Sequence, residues 1–363
     1  MRNFTIASDG HAELQKGPLT DDMTSSWDDL RFNISEVLKL GLHGVPINTC
    51  SNDSFAHSVG RNIRGNYELM TRWMQLGAFL PWCCSGYRNQ FIEAYGFDEP
   101  VPGNCRKYFQ LRSRLNQLYL DAAYQCDQTG MPVLRALFLN DPDDPVVYAH
   151  LEDQFTIGRD FLVAPVLTRH ETANLPTRPY RDVYLPRGCK WYPFEEEGVA
   201  QPLEGGRLYR SLLADLSQMP IYVRDGAILP FRLGIAREDG TNPLSIRIYP
   251  GQDRNYQMCL RNPSGQDFRL LEIEHRSTRQ GREVRIRRIV DERTPPEKHF
   301  YLALKGSCSS CVRICGFEFE PVSSMQELEV APGHAWCRSE SDLTTFVKLQ
   351  DDSAEISVLV SHL

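Results

Sequence analysis

Apolar residues recur at helical spacing from Trp27 to about Gln128. One stripe runs through Trp27, Leu30, Ile34, Val37 and Leu38, and it predicts a helix with one face in a core. Two more stripes share this spacing: Leu69, Trp73 and Leu76, then Tyr108, Leu111, Leu115, Leu118 and Ala122. The short apolar runs "GLHGVPI" and "MPVLRALFL" lie between helices, and such alternation favours a parallel α/β architecture.

The pattern changes after "NDPDDP". The continuous apolar run "DFLVAPVL" is shorter than a typical helix and predicts a buried strand. Further strand-like runs follow, separated by Pro and Gly: "RDVYLP", "KWYPF", "PIYVRDGAILP", "SIRIYP", "EVRIRRIV", "FYLALKG", "VRICGFEF" and "EISVLVSHL". No helical stripe of comparable length interrupts them, so this half is predicted to form a β sandwich or barrel.

The composition argues against some classes of binding partner. The chain has 363 residues and a net charge of -7, so it lacks the basic surplus that nucleic-acid binding requires. No run of about 18 apolar residues predicts a membrane span, and the N-terminus has no hydrophobic signal region. The 11 cysteines are an odd number without a dense framework, which favours reduced thiols and a cytoplasmic protein.

Acidic residues cluster at several points, and helix chemistry explains only some of them. In "LTDDMTSSWDDL", Ser26 can cap a helix and Asp29 can complete the capping box, while Asp28 suits the helix dipole. Asp21 and Asp22 precede the cap on the loop that feeds the helix. They are therefore the candidates for chemistry.

Other acidic and cysteine clusters are interpreted as structural. "NDPDDP" at 140–145 and "FEEEG" at 194–198 suit solvated turns, with a metal site at Asp141, Asp143 and Asp144 as the alternative. A zinc site at Cys308, Cys311 and Cys315, completed by His334 or Cys337, is a second alternative. Buried thiols are the simpler expectation there.

An ordered set of stretches resembles glycoside hydrolase family 31, the family of α-glucosidases, α-xylosidases and α-1,4-glucan lyases. The stretches run roughly from Thr20 to Arg232: "TSSWDDL", "GLHGVPI", "ELMTRWMQLGAFLPW", "YRNQ", "GMPVLRALFLNDPDDP", "DQFTIGRDFLVAPVL", "VYLPRGCKWYPF" and "MPIYVRDGAILP". Other pieces are closest to the lyase branch: "FLPW", "QPLEGGRLY", "PIYVRDGAILPFR" and "YPGQDRNYQMCL".

The resemblance implies the C-terminal part of a (β/α)8 barrel followed by two antiparallel β domains. Residues 1–150 would be the incomplete catalytic barrel, residues 151–235 a proximal β domain and residues 236–363 a distal β sandwich. A complete barrel takes about 250 residues, so the first part of the barrel is expected to lie outside this chain.

The resemblance also implies site residues. Asp22 would be the general acid/base, with Asp21 as the second choice. Substrate-binding positions would be Trp27, Ser51, Phe55, Trp82, Arg88 and Gln90. Ser51 stands near a family aspartate and Gln90 where the family has histidine. Trp73 is expected in the core. The resemblance implies no metal and no organic cofactor.

The function implied is retaining cleavage of α-glucosidic bonds in α-glucans or maltooligosaccharides. Such cleavage needs a second carboxylate as nucleophile, and the family's Trp-x-Asp-Met segment is absent from these residues. Two alternatives stay open: a fragment of an α-1,4-glucan lyase that releases 1,5-anhydrofructose, and a non-catalytic carbohydrate-binding or structural remnant. The oligomeric state is undetermined.

Overall fold

The computed structural model describes residues 27–46, 67–81, 98–169, 180–234, 242–261, 267–292 and 298–361. The helices are α1 (Trp27–Leu42), α2 (Tyr67–Gly77), α3 (Val101–Arg114), α4 (Asn116–Thr129), α5 (Leu137–Asn140) and α6 (Met325–Val330), with a 3₁₀-helix at Pro145–Ala149. Within the described ranges, no helix combines the length and the apolar character needed to cross a bilayer.

The strands in chain order are β1 (Leu134–Arg135), β2 (Phe155–Ile157), β3 (Phe161–Val163), β4 (Tyr180–Leu185), β5 (Lys190–Pro193), β6 (Leu203–Glu204), β7 (Arg207–Leu213), β8 (Ile221–Arg224), β9 (Ile228–Arg232) and β10 (Leu244–Ile248). They continue with β11 (Arg254–Arg261), β12 (Phe268–Thr278), β13 (Gly281–Asp291), β14 (His299–Lys305), β15 (Cys311–Ile314), β16 (Phe317–Phe319), β17 (Ala335–Ser339), β18 (Thr344–Gln350) and β19 (Glu355–Ser361).

The apolar stripes form the predicted helices. α1 buries Leu30, Ile34, Val37 and Leu38, and α2 buries its stripe, including Trp73. The third stripe is buried as expected, but a turn at Leu115 divides it into α3 and α4. The apolar periodicity thus continues across a break in the helix.

Of the two short runs between helices, "MPVLRALFL" contradicts the prediction of a parallel strand, whereas "GLHGVPI" extends beyond the described residues at Ile47. In "GLHGVPI", Gly41 and Leu42 complete α1. A turn follows, in which Gly44 has a φ of 83°, a left-handed conformation that commonly ends helices. In "MPVLRALFL" only β1 is a strand, and it pairs antiparallel with β2, because Pro132 offers no N–H to a longer ladder.

The described residues form two compact units. The first unit draws on Met1–Arg112, Gln125–Gly188 and Gly205–Ile221, and the second on Ser113–Tyr124, Cys189–Glu204 and Tyr222–Leu363. In the first unit, β1, β2 and β3 pair antiparallel, and β4 pairs with β7. Phe155, Phe161 and Leu162 are at most 1% exposed, so this small sheet lies in the core as "DFLVAPVL" predicted.

The second unit contains a β sandwich. A 5-stranded sheet has the order β17-β18-β14-β10-β9, and a 6-stranded sheet has the order β11-β12-β13-β19-β15-β16. Ile246 and Leu302 of the first sheet share one core with Val284 and Val358 of the second. The strand prediction for "EVRIRRIV" is confirmed by β13. The prediction for "EISVLVSHL" is confirmed over Glu355–Ser361, where β19 alternates buried and more exposed positions.

The cysteines after Lys305 are not all buried, contrary to expectation. Cys337 is buried, Cys308 and Cys311 are half-buried and Cys315 is exposed. Cys315 has a φ of 50° in the turn between β15 and β16, which lifts its side chain away from the core. Within the described chain, no cluster of three or more potential metal-ligating side chains is present.

Candidate active site

The structure places one of the proposed site residues. Trp27 is the first residue of α1 and is half-buried, and Asp28 and Asp29 occupy the first helical turn. The helix predicted to follow the Asp21–Asp22 loop therefore begins where the sequence indicates. The remaining candidates lie outside the described residues: Asp21, Asp22, Ser51, Phe55, Trp82, Arg88 and Gln90.

The C-terminal end of α1 packs closely against a proline ring. Gly41 lies next to Pro132, and a Cβ at Gly41 would stand 3.0 Å from Pro132 Cβ. A larger residue would require Pro132 or this end of α1 to shift by a few tenths of an ångström.

A buried arginine organises the segment that follows β1. Arg135 is 2% exposed, and its guanidinium donates to Pro132 O at 3.0 Å, Asn140 Oδ1 at 3.2 Å and Gln125 Oε1 at 2.6 Å. Asn140 Nδ2 donates in turn to Thr156 Oγ1 at 2.8 Å. The guanidinium thus joins α4, β1 and α5, and it explains why an arginine interrupts the apolar run "MPVLRALFL".

The interpretation of "NDPDDP" as a solvated turn is wrong at Asp144, which is 2% exposed. Its carboxylate accepts hydrogen bonds from Tyr184 Oη at 2.7 Å, Arg187 N at 3.0 Å and Val146 N at 3.1 Å. Burial alone would raise the pKa of Asp144, but the hydrogen bonds from Arg187 N, Tyr184 and Val146 N bring it below its usual value. The group is therefore ionised at neutral pH.

A second carboxylate, Asp153, lies in a charged network that the sequence did not predict. His150 Nδ1 is 3.1 Å from Asp153 Oδ1, and Arg181 Nη2 is 2.9 Å from Asp153 Oδ2. The His150 ring stacks on Tyr184 at 5.4 Å between centroids. Burial opposes ionisation of Asp153, but the hydrogen bond from His150 and the charge of Arg181 lower its pKa overall.

Asp121, in the second unit, behaves in the opposite way. Its carboxylate accepts from Gln117 Nε2, Cys259 N and Tyr256 Oη, each at 2.8 Å. Burial raises its pKa to about 7, against the effect of these hydrogen bonds. A raised pKa often marks a catalytic acid. Asp121, however, is 4% exposed and its oxygens are engaged by α4 and β11, so its role is structural.

These three carboxyl groups do not suit proton donation to a glycosidic oxygen. Asp144 and Asp153 are held ionised, and Asp121 is enclosed between a helix and a strand. A general acid must be protonated and within reach of the substrate. The catalytic candidates are therefore still Asp22 and Asp21, which the sequence singled out.

The chain matches two family models. Residues 1–122 match the description "Glycosyl hydrolases family 31 TIM-barrel domain", and residues 130–229 match "Glycosyl hydrolase family 31 C-terminal domain". A similar curated relative is alpha-glucosidase 2 of Bacillus thermoamyloliquefaciens, 33% identical over 279 residues, or 74% of this chain and 32% of the relative. The chain thus spans about a third of the length of the curated relatives it matches.

Solved structures of carbohydrate-active enzymes share the fold. A dextranase of Flavobacterium johnsoniae matches 94% of this chain and 42% of its own with a TM-score of 0.81 and 22% identity. An α-1,4-glucan lyase of Gracilariopsis lemaneiformis matches 93% of this chain and 36% of its own with a TM-score of 0.78 and 19% identity. These likenesses confirm the predicted fold class, part of a (β/α)8 barrel followed by β domains.

Proposed function

Because the chain belongs to glycoside hydrolase family 31, we propose that it is the acid/base-bearing portion of a retaining glycosidase. Its substrates would be the α-glucosidic bonds of α-glucans or maltooligosaccharides. The observation that carries the proposal is the barrel-domain match over residues 1–122, which includes Asp22 just before the helix that begins at Trp27.

In the proposed reaction, the carboxyl group of Asp22 is protonated at the start. It transfers its proton to the glycosidic oxygen as the bond from that oxygen to the anomeric carbon breaks, and a second carboxylate attacks that carbon. Water then attacks the glycosyl-enzyme, and Asp22 takes the water's proton. The two carboxyl groups must lie about 5–5.5 Å apart, and the proposal assigns the nucleophile to chain outside these 363 residues.

The neighbourhood of Asp22 in the sequence supports the acid role. Asp21 adds a like charge beside it, and a nearby like charge raises the pKa of a carboxyl group. A loop that follows a barrel strand and leads into a helix is where catalytic groups of such barrels are found. Asp21 is the second choice for the same role.

The proposed sugar contacts come from Trp27, Ser51, Phe55, Trp82, Arg88 and Gln90. Gln90 can donate and accept hydrogen bonds but cannot carry charge. Replacing a charged hydrogen-bond partner in a dry site weakens binding by about 1.5–3 kcal/mol. We therefore expect weaker sugar binding than in relatives that carry histidine at this position.

A lyase is the first alternative. After the glycosyl-enzyme forms, a base would remove the proton from the carbon next to the anomeric carbon, and elimination would release 1,5-anhydrofructose. The stretches "FLPW" and "YPGQDRNYQMCL" favour it.

A non-catalytic carbohydrate-binding or structural role is the second alternative. Ser51 and Gln90, which replace acidic and histidine side chains of the family, and the absent Trp-x-Asp-Met segment favour it. Sugar binding would persist without turnover in that case.

Incubation with maltotriose of the protein that also includes the segment to which the proposal assigns the nucleophile separates the three functions. Free glucose supports the glycosidase, and 1,5-anhydrofructose supports the lyase. Binding by calorimetry without either product supports the non-catalytic role. Asp22→Asn is expected to lower turnover at least about 1,000-fold, and Asp21→Asn is the matched control. Equal losses in both variants, or full activity of Asp22→Asn, would overturn the assignment of Asp22.

A further inference from the structure

A surface cleft of about 370 Å³ opens in the first unit between α1, the 3₁₀-helix and the segment after β3. This volume is within the range of small-molecule sites. The cleft combines aromatic, aliphatic and charged side chains. Its principal lining residues are Arg31, Tyr148, Leu151, Glu152, Leu167 and Thr168.

One wall of the cleft is a fixed aromatic ring. Tyr148 is 50% exposed, yet it stacks on Phe138 with ring centroids 5.6 Å apart and planes 12° from parallel. Its hydroxyl donates to Pro142 O at 3.3 Å. The ring is thus held from one side and from its tip, and an exposed ring held in this way offers an apolar platform at little entropic cost.

Polar groups around this ring are available to a ligand. The side chains of Arg31 and Glu152 are exposed and have no hydrogen-bond or ion-pair partner within the part of the chain that the structure describes. The guanidinium supplies several donors, the carboxylate supplies acceptors, and the exposed Thr168 hydroxyl supplies both. Vicinal hydroxyl groups need this mixture of donors and acceptors.

The base of the cleft is rigid before any ligand arrives. Arg181 and Asp153 also line it, and Arg181 donates to Asp153 Oδ2 at 2.9 Å, to Pro165 O at 2.8 Å and to Asp182 O at 2.7 Å. These bonds fix both side chains, which are 13% and 24% exposed. A preorganised base lowers the cost of binding.

We propose that this cleft is a carbohydrate-binding site for one or two pyranose units of an α-gluco-oligosaccharide. The C–H face of a sugar ring stacks on Tyr148, while Arg31 and Glu152 bind its hydroxyl groups. Only the choice of gluco-configured sugars rests on the proposed function. The cleft itself contains none of the residues assigned to catalysis.

Hydroxyl-radical footprinting of the full chain with and without maltotriose locates bound sugar directly. At saturating maltotriose, oxidation of Tyr148 is expected to fall at least twofold. Phe317, which is 74% exposed in the second unit, is the internal control and should keep its rate. Unchanged oxidation of Tyr148, or an equal fall at Phe317, overturns the proposal.

Variants assign the binding to the cleft. Arg31→Ala and Tyr148→Ala are each expected to weaken maltotriose binding at least threefold in calorimetry, whereas Tyr148→Phe keeps the ring and should bind like the wild type. Arg106→Ala removes an exposed arginine from α3 and is the matched control. Wild-type affinity in both Arg31→Ala and Tyr148→Ala contradicts the assignment, even where one variant is destabilised.

The same measurements distinguish this proposal from the proposed enzyme. In the protein that includes the proposed nucleophile segment, protection of Tyr148 without sugar turnover supports the cleft and counts against the glycosidase. Turnover without protection of Tyr148 overturns the cleft alone. Asp22→Asn is expected to abolish turnover and to leave the protection of Tyr148 unchanged.

Discussion

At the scale of single residues, the burial of Asp144 and Asp121 differs from what their local sequence indicates. Asp144 belongs to a Pro- and Asp-rich segment typical of solvated turns, yet it is buried and holds Tyr184 and Arg187 N. Asp121 lies in a helical stretch, yet it is buried against β11. In both cases some of the partners come from distant parts of the chain, so the local pattern did not indicate the burial.

Asp144→Ala is expected to lower the free energy of unfolding by about 2–4 kcal/mol, because it leaves Tyr184 Oη and two backbone N–H groups without their acceptor. Urea denaturation at pH 7 measures this loss. Asp143→Ala is the matched control, since Asp143 is exposed and should change stability by less than about 0.5 kcal/mol.

The folded-state pKa of Asp144 is lowered, so its stabilisation is present above the ordinary aspartate pKa and is lost as the pH falls below it. The difference between wild type and Asp144→Ala should therefore shrink towards pH 3. A difference that is the same at pH 3 and pH 7 would show that the carboxylate charge does not matter.

Asp121→Asn should remove a pH dependence of stability near neutrality. The folded pKa of Asp121 is raised to about 7, so its contribution is fully present below the ordinary aspartate pKa and is lost as the pH rises through 7. Between pH 5.5 and 8.5 we expect the wild type to lose on the order of 1–2 kcal/mol more than Asp121→Asn. The asparagine can keep its contacts with Cys259 N and Tyr256 Oη. Parallel pH profiles in urea denaturation would contradict this.

At the scale of elements, the described helices are positioned by polar contacts as well as by their apolar stripes. Arg72 on α2 is 2% exposed. Its guanidinium donates to Gln218 O and Ala214 O, both at 2.7 Å, and to Gln75 Oε1 at 2.9 Å. Burial lowers the pKa of Arg72, against the charges of Glu68 and Asp215. One arginine thus attaches the loop before β8 to α2.

Arg72→Met should cost about 2–4 kcal/mol in the free energy of unfolding, because it leaves buried carbonyl groups without donors. Lys107→Met is the matched control, because Lys107 Nζ donates to Ser217 O of the same loop at 2.9 Å but is exposed. Loss of this exposed contact should lower the free energy of unfolding by at most about 1 kcal/mol. Chemical denaturation compares the two. Equal losses would mean that burial does not determine how much these hydrogen bonds contribute to the free energy of unfolding.

At the scale of the whole molecule, the domain limits at 1–150, 151–235 and 236–363 stay a prediction, and we propose them for testing. The described residues form two units, and the second includes both Ser113–Tyr124 and Tyr222–Leu363. In it, β9 and β10 pair antiparallel, from Arg232↔Leu244 to Ile228↔Ile248. The limit near residue 235 therefore falls between two paired strands.

Limited trypsin digestion followed by mass spectrometry examines these limits. The proposed limits predict early cleavage at Arg159, the first trypsin site after residue 150, and at Arg232 or Arg237, with a stable fragment that starts close to residue 236. Because β9 and β10 are hydrogen-bonded, the two products at residue 235 are expected to stay associated in gel filtration without denaturant and to separate in urea. A stable fragment that starts near residue 222 would contradict the limit at 235.

The sequence by itself determined the helices, most of the strands and the family, because apolar periodicity and ordered motifs are properties of neighbouring residues. It also singled out Asp22, whose role stays a prediction because the residue lies outside the described ranges. Only the tertiary structure decided the antiparallel pairing of β1, the break at Leu115 and the burial of particular charges. Desolvation and hydrogen bonding depend on groups that the fold brings from far along the chain, as Ala214 is brought to Arg72. No local pattern records those distances.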